Sequence, residues 1–284
     1  MSIAEIHGKL SPETVNDRME DLLTSDVFGT MYYAGWEKGF RDWLLEAQPV
    51  RTSGNTLGQF IGSSPVEEVL FSFWPTLPND KEPDVALLLK SKDGTCRVLL
   101  VEAKYLSGPS NAYVIQDESS DSPRTGNQLA DQMDGFSKAN HDPLIASWFP
   151  GTCQTGQLPF AHILVTSHRR LPAEVYKESL ESLHRAGMAE FPCPAFWLSW
   201  RSLTPHLERY SPLIHDPAGR LILDLITLLE QKELRTFAGF HDLPWPAPVT
   251  SGSFWRFSFG HCMRSWVELN LTEGGDTLFW KERL

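Results

Sequence analysis

The sequence has few features that would anchor or cross-link a fold. Only four cysteines occur in 284 residues, and no two form a Cys-x-x-Cys pair, which disfavours a zinc ribbon or a thioredoxin-like site. We expect reduced, mostly buried thiols, as in cytoplasmic proteins. No apolar run reaches the roughly 18 residues that a membrane helix needs, and no basic segment followed by an apolar stretch marks a secretory signal. These absences predict a cytoplasmic protein without a membrane segment.

Positive charge is also scarce. The chain carries 25 basic and 36 acidic side chains, a net charge of −11, which argues against a protein that coats DNA non-specifically. Residues 1–150 hold 12 of the basic and 22 of the acidic side chains, so the imbalance lies almost entirely in this half. An excess of carboxylates is consistent with a cation site or with a solvated acidic face, and composition alone favours the solvated face.

Several common catalytic motifs are missing as well. Neither a GxxxxGK[ST] nor a GxGxxG phosphate loop occurs, so the sequence predicts neither an ATP-driven motor nor a dinucleotide site. The nine histidines show no HExxH or HxH spacing, and we expect them to have structural or surface roles.

The order of predicted elements favours an α/β fold. A three-stranded meander followed by alternating helices and strands predicts a mixed β-sheet flanked by helices. We expect a core over residues 1–210, and over 211–284 an α+β extension with one helix and an aromatic-rich tail packed on that core. The tail aromatics are interpreted as strand core, with base stacking as the alternative. Helices are predicted over about 12–47, 128–139, 172–186 and 218–234, strands over 69–74, 84–89, 97–105, 161–166 and 195–200, and a long loop over 107–126.

The second and third predicted strands carry the most informative residues. Glu102 and Lys104 are two apart on an otherwise apolar strand, so their side chains point to the same face. Asp84 begins the neighbouring strand, and pairing around the Lys92–Thr95 turn places it beside the end of the Glu102 strand. Charged groups at such a position need partners. The pattern therefore predicts that Asp84, Glu102 and Lys104 converge at one end of the sheet.

Two carboxylates and a lysine have a clear chemical use. Carboxylate oxygens bind Mg²⁺, which keeps several waters and accepts a phosphate oxygen of a substrate. Such a metal polarises the phosphoryl group and activates a bound water, and a nearby lysine stabilises the charge that develops. The set suits hydrolysis of a phosphodiester with Mg²⁺ or Mn²⁺.

The residues Pro83-Asp84 and Glu102-Ala103-Lys104 resemble the PD-(D/E)xK nuclease superfamily, which has the restriction-endonuclease-like fold. The resemblance covers about residues 12–170, where the predicted helix, three-stranded meander, helix and strand follow the order of the superfamily core. It implies that Asp84 and Glu102 are metal ligands and that Lys104 is catalytic.

The resemblance also implies an acid on the first helix and, in the lambda-exonuclease-like and RecB-like branches, a glutamine on the helix after the lysine strand. Glu20 is the best candidate for the acid, as a further metal ligand and catalytic residue, and Gln128 for the glutamine. Gln132 lies one turn after Gln128 on the same face of the helix, so the two glutamines could line the site together. Because the segment 48–68 is long, another acid could take the place of Glu20. The alternative acids are Asp21, Glu67 and Glu68.

The resemblance implies a metal-dependent deoxyribonuclease, most simply an endonuclease in bacterial restriction or anti-phage defence. The negative charge favours an alternative, a binding or scaffold subunit with a nuclease fold in a larger complex. It is also consistent with a protein partner or homodimer that supplies contact to DNA. An RNA-directed nuclease uses the same chemistry and stays open. Arg169 and Arg170, after the fourth strand, are interpreted either as phosphate contacts or as a solvated loop pair.

Overall fold

The structure of the protein, a computed structural model, describes residues 15–51, 54–105, 127–152, 156–210 and 216–235, with side chains from residue 20 onward. The start of the predicted first helix, the predicted loop over 107–126 and the aromatic tail lie outside these ranges. The helices are α1 (Val15–Ala34), α2 (Phe40–Leu45), α3 (Leu57–Ile61), α4 (Gln128–Lys138), α5 (His141–Trp148), α6 (Ala173–Arg185), α7 (Leu203–Glu208) and α8 (Pro217–Gln231). The strands are β1 (Gln48–Pro49), β2 (Val66–Phe73), β3 (Val85–Ser91), β4 (Cys96–Lys104), β5 (Phe160–Thr166) and β6 (Ala195–Ser199).

The described strands form one six-stranded sheet in the order β1-β6-β5-β4-β3-β2. The meander β2–β4 is antiparallel, whereas β4, β5 and β6 are parallel to one another and β1 is antiparallel to β6. The prediction of an α/β fold with a mixed sheet flanked by helices is therefore confirmed. The parallel register aligns Lys104 with Thr166 and Thr166 with Ser199, so β4, β5 and β6 end at the same edge.

Alternation along β4 divides the core into two layers. Leu99, Val101 and Ala103 face the layer built from α1, α2, α3, α7 and α8. Val98 and Leu100 face the opposite layer, which α4, α5 and α6 cover. Because side chains alternate along a strand, Glu102 and Lys104 continue the second row, toward α4.

Some short elements were missing from the sequence-based assignment. The predicted helix over about 12–47 leaves Gln48 and Pro49 unassigned, but they form the edge strand β1 against Trp197 and Phe196. The assignment also lacked α5, whose eight residues are too few to display a helical period clearly. The helix α8 belongs to the same compact unit, Met1–Phe237, as the sheet. Among the helices that the structure describes, none is long and apolar enough to cross a membrane.

Candidate active site

A group of polar side chains occupies the otherwise apolar face of the sheet beneath α4. Asp84, Glu102 and His162 lie on this face, and each is at most 9% exposed. Burial of this many polar groups is unfavourable unless they satisfy one another. Their contacts with α1 and α4 supply that compensation and define a site at the carboxyl end of β4.

Lys104 is the centre of this site. Its Nζ lies 2.7 Å from Glu102 Oε1 and 2.9 Å from Glu20 Oε1. Burial alone lowers the pKa of the ammonium group, but the charges of Glu102, Glu20 and Asp84 together outweigh it, so the pKa of Lys104 is raised. The side chain of Lys104 is therefore protonated and positively charged at neutral pH. We refer to Glu20, Asp84, Glu102 and Lys104 as the Lys104 cluster.

Glu20 reaches the cluster from the other layer of the protein. Its Oε1 accepts a hydrogen bond from Lys104 Nζ, and its Oε2 accepts one from the backbone N–H of Tyr105 at 3.1 Å. Since α1 covers the opposite face of the sheet, Glu20 contacts Lys104 around the end of β4. The structure thus brings the first-helix acid into contact with the predicted lysine.

The alternative acids on β2 are remote from this site. Glu67 and Glu68 are exposed, and Glu68 forms an ion pair with Lys90 at 2.9 Å. Lys90 lies near the far end of β3, whereas Asp84 immediately precedes its start, and the six residue steps between them span roughly 20 Å of strand. Compared with Glu67 and Glu68, Glu20 therefore has the contact that the hypothesis requires.

Asp84 is fixed by the neighbouring strand. Its Oδ2 accepts a hydrogen bond from the backbone N–H of Ala103 at 2.7 Å. The pKa of the Asp84 carboxyl is raised well above its ordinary value, first by burial and then by the negative charge of Glu102, with Lys104 opposing both. The Glu102 carboxyl group is thus close enough to disfavour ionisation of Asp84, and a divalent cation would relieve this repulsion.

The glutamine that contacts the cluster is Gln132. Gln132 is fully buried, and its Nε2 donates to Glu102 Oε2 at 2.7 Å and to the Glu82 carbonyl at 3.1 Å. Gln128 is half-buried, and no hydrogen bond joins its side chain to another residue that the structure describes. That Gln128 lines the site stays a prediction, since its side chain has no described contact there. The helix turns its second glutamine, one turn further along, toward β4.

His162 completes a chain of hydrogen bonds that sequence reasoning missed. Its Nε2 lies 2.9 Å from Gln132 Oε1, and because Gln132 uses its amide nitrogen on Glu102, His162 Nε2 must carry the proton. Burial lowers the pKa of His162 to about 3, so the ring is neutral. The available signal was a single histidine in an apolar strand, which indicates a satisfied core residue more often than a site. Here it fixes the orientation of Gln132.

The oxygen atoms of the site suit a hard divalent cation. Asp84 and Glu102 present buried carboxylates on adjacent strands, and Mg²⁺ commonly binds one or two carboxylates while waters and phosphate oxygens complete its coordination. Across the described ranges, no group of three or more His, Cys, Asp or Glu side chains is already arranged to hold an ion. Instead, Lys104 contacts Glu20 and Glu102. Asp84 and Glu102 are the residues that fit as metal ligands, with Glu20 adjacent.

The geometry of the Lys104 cluster supports a chemical hypothesis without help from relatives. Comparisons of the chain with protein-family models, with curated proteins and with solved structures find no match. The chemistry of the buried side chains at the end of β4 is therefore the basis for assigning a function.

Proposed function

We propose that the protein is a metal-dependent nuclease that hydrolyses phosphodiester bonds of DNA, with Mg²⁺ or Mn²⁺ as cofactor. The supporting observation is the convergence of Glu20, Asp84 and Glu102 on Lys104 at one end of the sheet. Three carboxylates around one ammonium group leave excess negative charge when all are ionised. A divalent cation would neutralise that charge.

The roles of the side chains follow from their surroundings. Asp84 and Glu102 would hold the metal, which when bound polarises the phosphoryl group and lowers the pKa of a coordinated water. Lys104 is already a cation, so its part is to orient the attacking water and stabilise charge on the phosphoryl oxygens. Gln132 and His162 hold the Glu102 carboxylate in one orientation. The water oxygen bonds to phosphorus as the bond from phosphorus to one sugar oxygen breaks, which leaves a phosphate monoester and a free hydroxyl group.

The proposal extends to the fold family. The order α1, β2–β4, α4 and β5 matches the order that the PD-(D/E)xK resemblance implies, and the Asp84 and Glu102-x-Lys104 elements lie together. We propose on this basis a restriction-endonuclease-like core. A cytoplasmic setting is part of the same proposal, since Cys96 and Cys193 are free and buried.

Incubation with circular and linear DNA tests the proposal. The wild-type protein would be assayed with Mg²⁺, with Mn²⁺ and with EDTA, beside Lys104→Ala and the matched variant Lys90→Ala. Lys90 is also a lysine of this sheet paired with a glutamate, but it lies toward the opposite end. Metal-dependent cutting by wild type and Lys90→Ala, lost in Lys104→Ala, is expected. Cutting of circular DNA would identify an endonuclease.

One observation favours a second function, that of a binding or scaffold subunit. Lys104 contacts two carboxylates at once, and such an ion-pair cluster can stabilise a sheet end without catalysis. If the folded protein cuts neither DNA nor RNA with either metal, the nuclease proposal is wrong and the structural role is favoured.

A further inference from the structure

The segment that follows β5 presents a polar side chain beside the Lys104 cluster. Lys104 is in register with Thr166, and their side chains share a face because register partners on neighbouring strands point the same way. Beyond the strand, Ser167 Oγ donates a hydrogen bond to the Tyr105 carbonyl at 2.7 Å, so the segment continues alongside the end of β4. The next side chain of the segment is that of His168, which is exposed at this end of the sheet.

The His168 ring is held by the hydroxyl group of Thr166. Thr166 Oγ1 accepts hydrogen bonds from the indole N–H of Trp197 at 2.9 Å and from the backbone N–H of His168 at 3.2 Å. These two bonds occupy both acceptor positions of the hydroxyl group. The hydroxyl hydrogen is therefore left for His168 Nδ1, which lies 3.1 Å from Thr166 Oγ1. A neutral His168 ring consequently carries its proton on Nε2.

The second ring nitrogen of His168 is accessible to a ligand. No hydrogen bond or ion pair joins His168 Nε2 to another residue in the part of the chain that the structure describes, and the side chain is exposed. Adjacent strands lie about 4.8 Å apart, so His168 Nδ1 is at most roughly 10 Å from Lys104 Cα. One strand of DNA advances about 3.4 Å per phosphate along its helix axis. A strand bound at the Lys104 cluster would therefore have a phosphate within reach of the ring.

The charge of this segment favours an anionic ligand. Arg169 and Arg170 follow His168 and are both exposed. Positive side chains at the rim of a site attract a polyanion to it, and here they lie next to a cluster that is itself rich in carboxylates. An N–H group that donates to a phosphate oxygen forms a charge-assisted hydrogen bond, which is stronger than one between neutral groups.

We propose that His168 Nε2 donates a hydrogen bond to a non-bridging phosphate oxygen of the DNA strand that is cut at the Lys104 cluster. This inference rests on the proposed nuclease function and names a residue that binds its substrate. His168 transfers no proton in this role. Thr166 holds the ring so that Nε2 points away from the sheet and toward the phosphate.

Binding without cleavage tests this contact directly. Fluorescence anisotropy of a labelled 20-nucleotide single-stranded DNA would be measured in EDTA for the wild type, His168→Ala and His168→Gln. His168→Ala should bind about tenfold more weakly, near the lower end of what one hydrogen bond to a charged group contributes. The amide nitrogen of glutamine stands about as far from Cα as Nε2 of histidine, so His168→Gln should keep most of the affinity.

The matched control is His184→Ala, which removes another exposed histidine. The helix α6 leads from the carboxyl end of β5 back to the start of the parallel strand β6, so His184, near its last residue, lies toward the opposite end of the sheet. The affinity of His184→Ala for DNA should equal that of the wild type. An unchanged affinity in His168→Ala, an equal loss in His184→Ala or in His168→Gln, or no DNA binding at all would overturn the proposal.

Free phosphate has the same chemistry as a backbone phosphate, so it needs an arm of its own. Calorimetric titration with inorganic phosphate would be run on the wild type and on His168→Ala. Phosphate binding that depends on His168, with an unchanged affinity for DNA, would indicate a free-anion site and overturn the proposal.

The failure of this inference is distinguishable from failure of the nuclease proposal. Metal-dependent cutting that is lost in Lys104→Ala, together with an unchanged DNA affinity in His168→Ala, leaves the nuclease and removes the histidine contact. A DNA affinity that depends on His168 in a protein that cuts nothing keeps the contact and removes the nuclease.

Discussion

Lys104 Nζ lies 2.7 Å from Glu102 Oε1, and the two side chains leave the same face of the same strand. Glu102 is fully buried, so this contact compensates a carboxyl group that has no access to water. Burial raises the pKa of Glu102, whereas Lys104 and the amide of Gln132 lower it. The pair therefore links the stability of the sheet end to the chemistry proposed there, and substitutions of its members have to be tested for both.

Replacement of Lys104 by alanine should lower cleavage and stability together. Loss of one positioned electrostatic donor typically reduces a rate by about 10²–10³-fold. The same change leaves Glu102 and Glu20 without their shared cation, and removal of one partner of a buried pair costs about 3–5 kcal/mol. Urea unfolding and single-turnover cleavage of the same sample would measure the two effects.

Lys104→Arg separates the two effects. It keeps the charge, so we expect most of the stability to return. The planar guanidinium group cannot occupy the position of the ammonium, so cleavage should stay low. Near-normal cleavage in Lys104→Ala would show that the lysine is not catalytic.

Asp84→Asn should change how stability depends on pH. Burial, and then Glu102, raise the pKa of Asp84 above its ordinary 3.8 in the folded state. The folded protein therefore binds this proton more tightly than the unfolded chain, and the contribution of Asp84 to the free energy of unfolding falls as pH rises above about 4. An asparagine oxygen can still accept from the Ala103 N–H and does not ionise. In urea unfolding between pH 4 and pH 7, we expect the free energy of unfolding of the variant to increase relative to that of the wild type.

The opposite trend would contradict the raised pKa of Asp84. In that case the free energy of unfolding of Asp84→Asn would decrease relative to that of the wild type as pH rises. Glu68→Gln serves as the control because Glu68 is an exposed carboxylate toward the other end of the sheet. The difference in free energy of unfolding between Glu68→Gln and the wild type should vary little over the same pH range.

Divalent cations should stabilise the wild type and not Asp84→Asn. A ligand that binds only the folded state adds about 2.7 kcal/mol at a concentration one hundred times its Kd. Thermal unfolding with increasing Mn²⁺ would therefore show a rising Tm for the wild type and for Glu68→Gln, and a much smaller rise for Asp84→Asn. Equal rises in all three proteins would exclude Asp84 as a metal ligand.

The sequence was sufficient to predict the parts of the site that depend on strands. Alternation places Glu102 and Lys104 on one face, and the turn before Cys96 places Asp84 beside them, so neither inference needed tertiary information. The phase of α4 could not be predicted in the same way, because Gln128 and Gln132 lie on one face and only packing decides which of them reaches β4. His162 was equally hidden, since its partner comes from a different element. The edge strand β1 has two residues and depends entirely on its pairing with β6.

The two glutamines of α4 provide the last test. Gln132→Ala removes the donor to Glu102 Oε2 and leaves the oxygen of a fully buried carboxyl group without it. It also removes the acceptor for His162 Nε2. An unsatisfied buried polar group costs about 1–3 kcal/mol, so we expect the free energy of unfolding measured with urea to fall by this amount. We also expect a weaker response of Tm to Mn²⁺, because Glu102 is no longer held in one orientation.

Gln128→Ala is the matched control on the same helix, one turn earlier. The Gln128 side chain is half-buried and has no hydrogen bond to another described residue, so its replacement should change stability by less than about 0.5 kcal/mol and leave the Mn²⁺ response intact. Equal cleavage rates for Gln132→Ala and the wild type, with a strong loss in Gln128→Ala, would reverse the assignment. In that case the first glutamine would act on the substrate, and the hydrogen bonds from His162 through Gln132 to Glu102 would serve the fold alone.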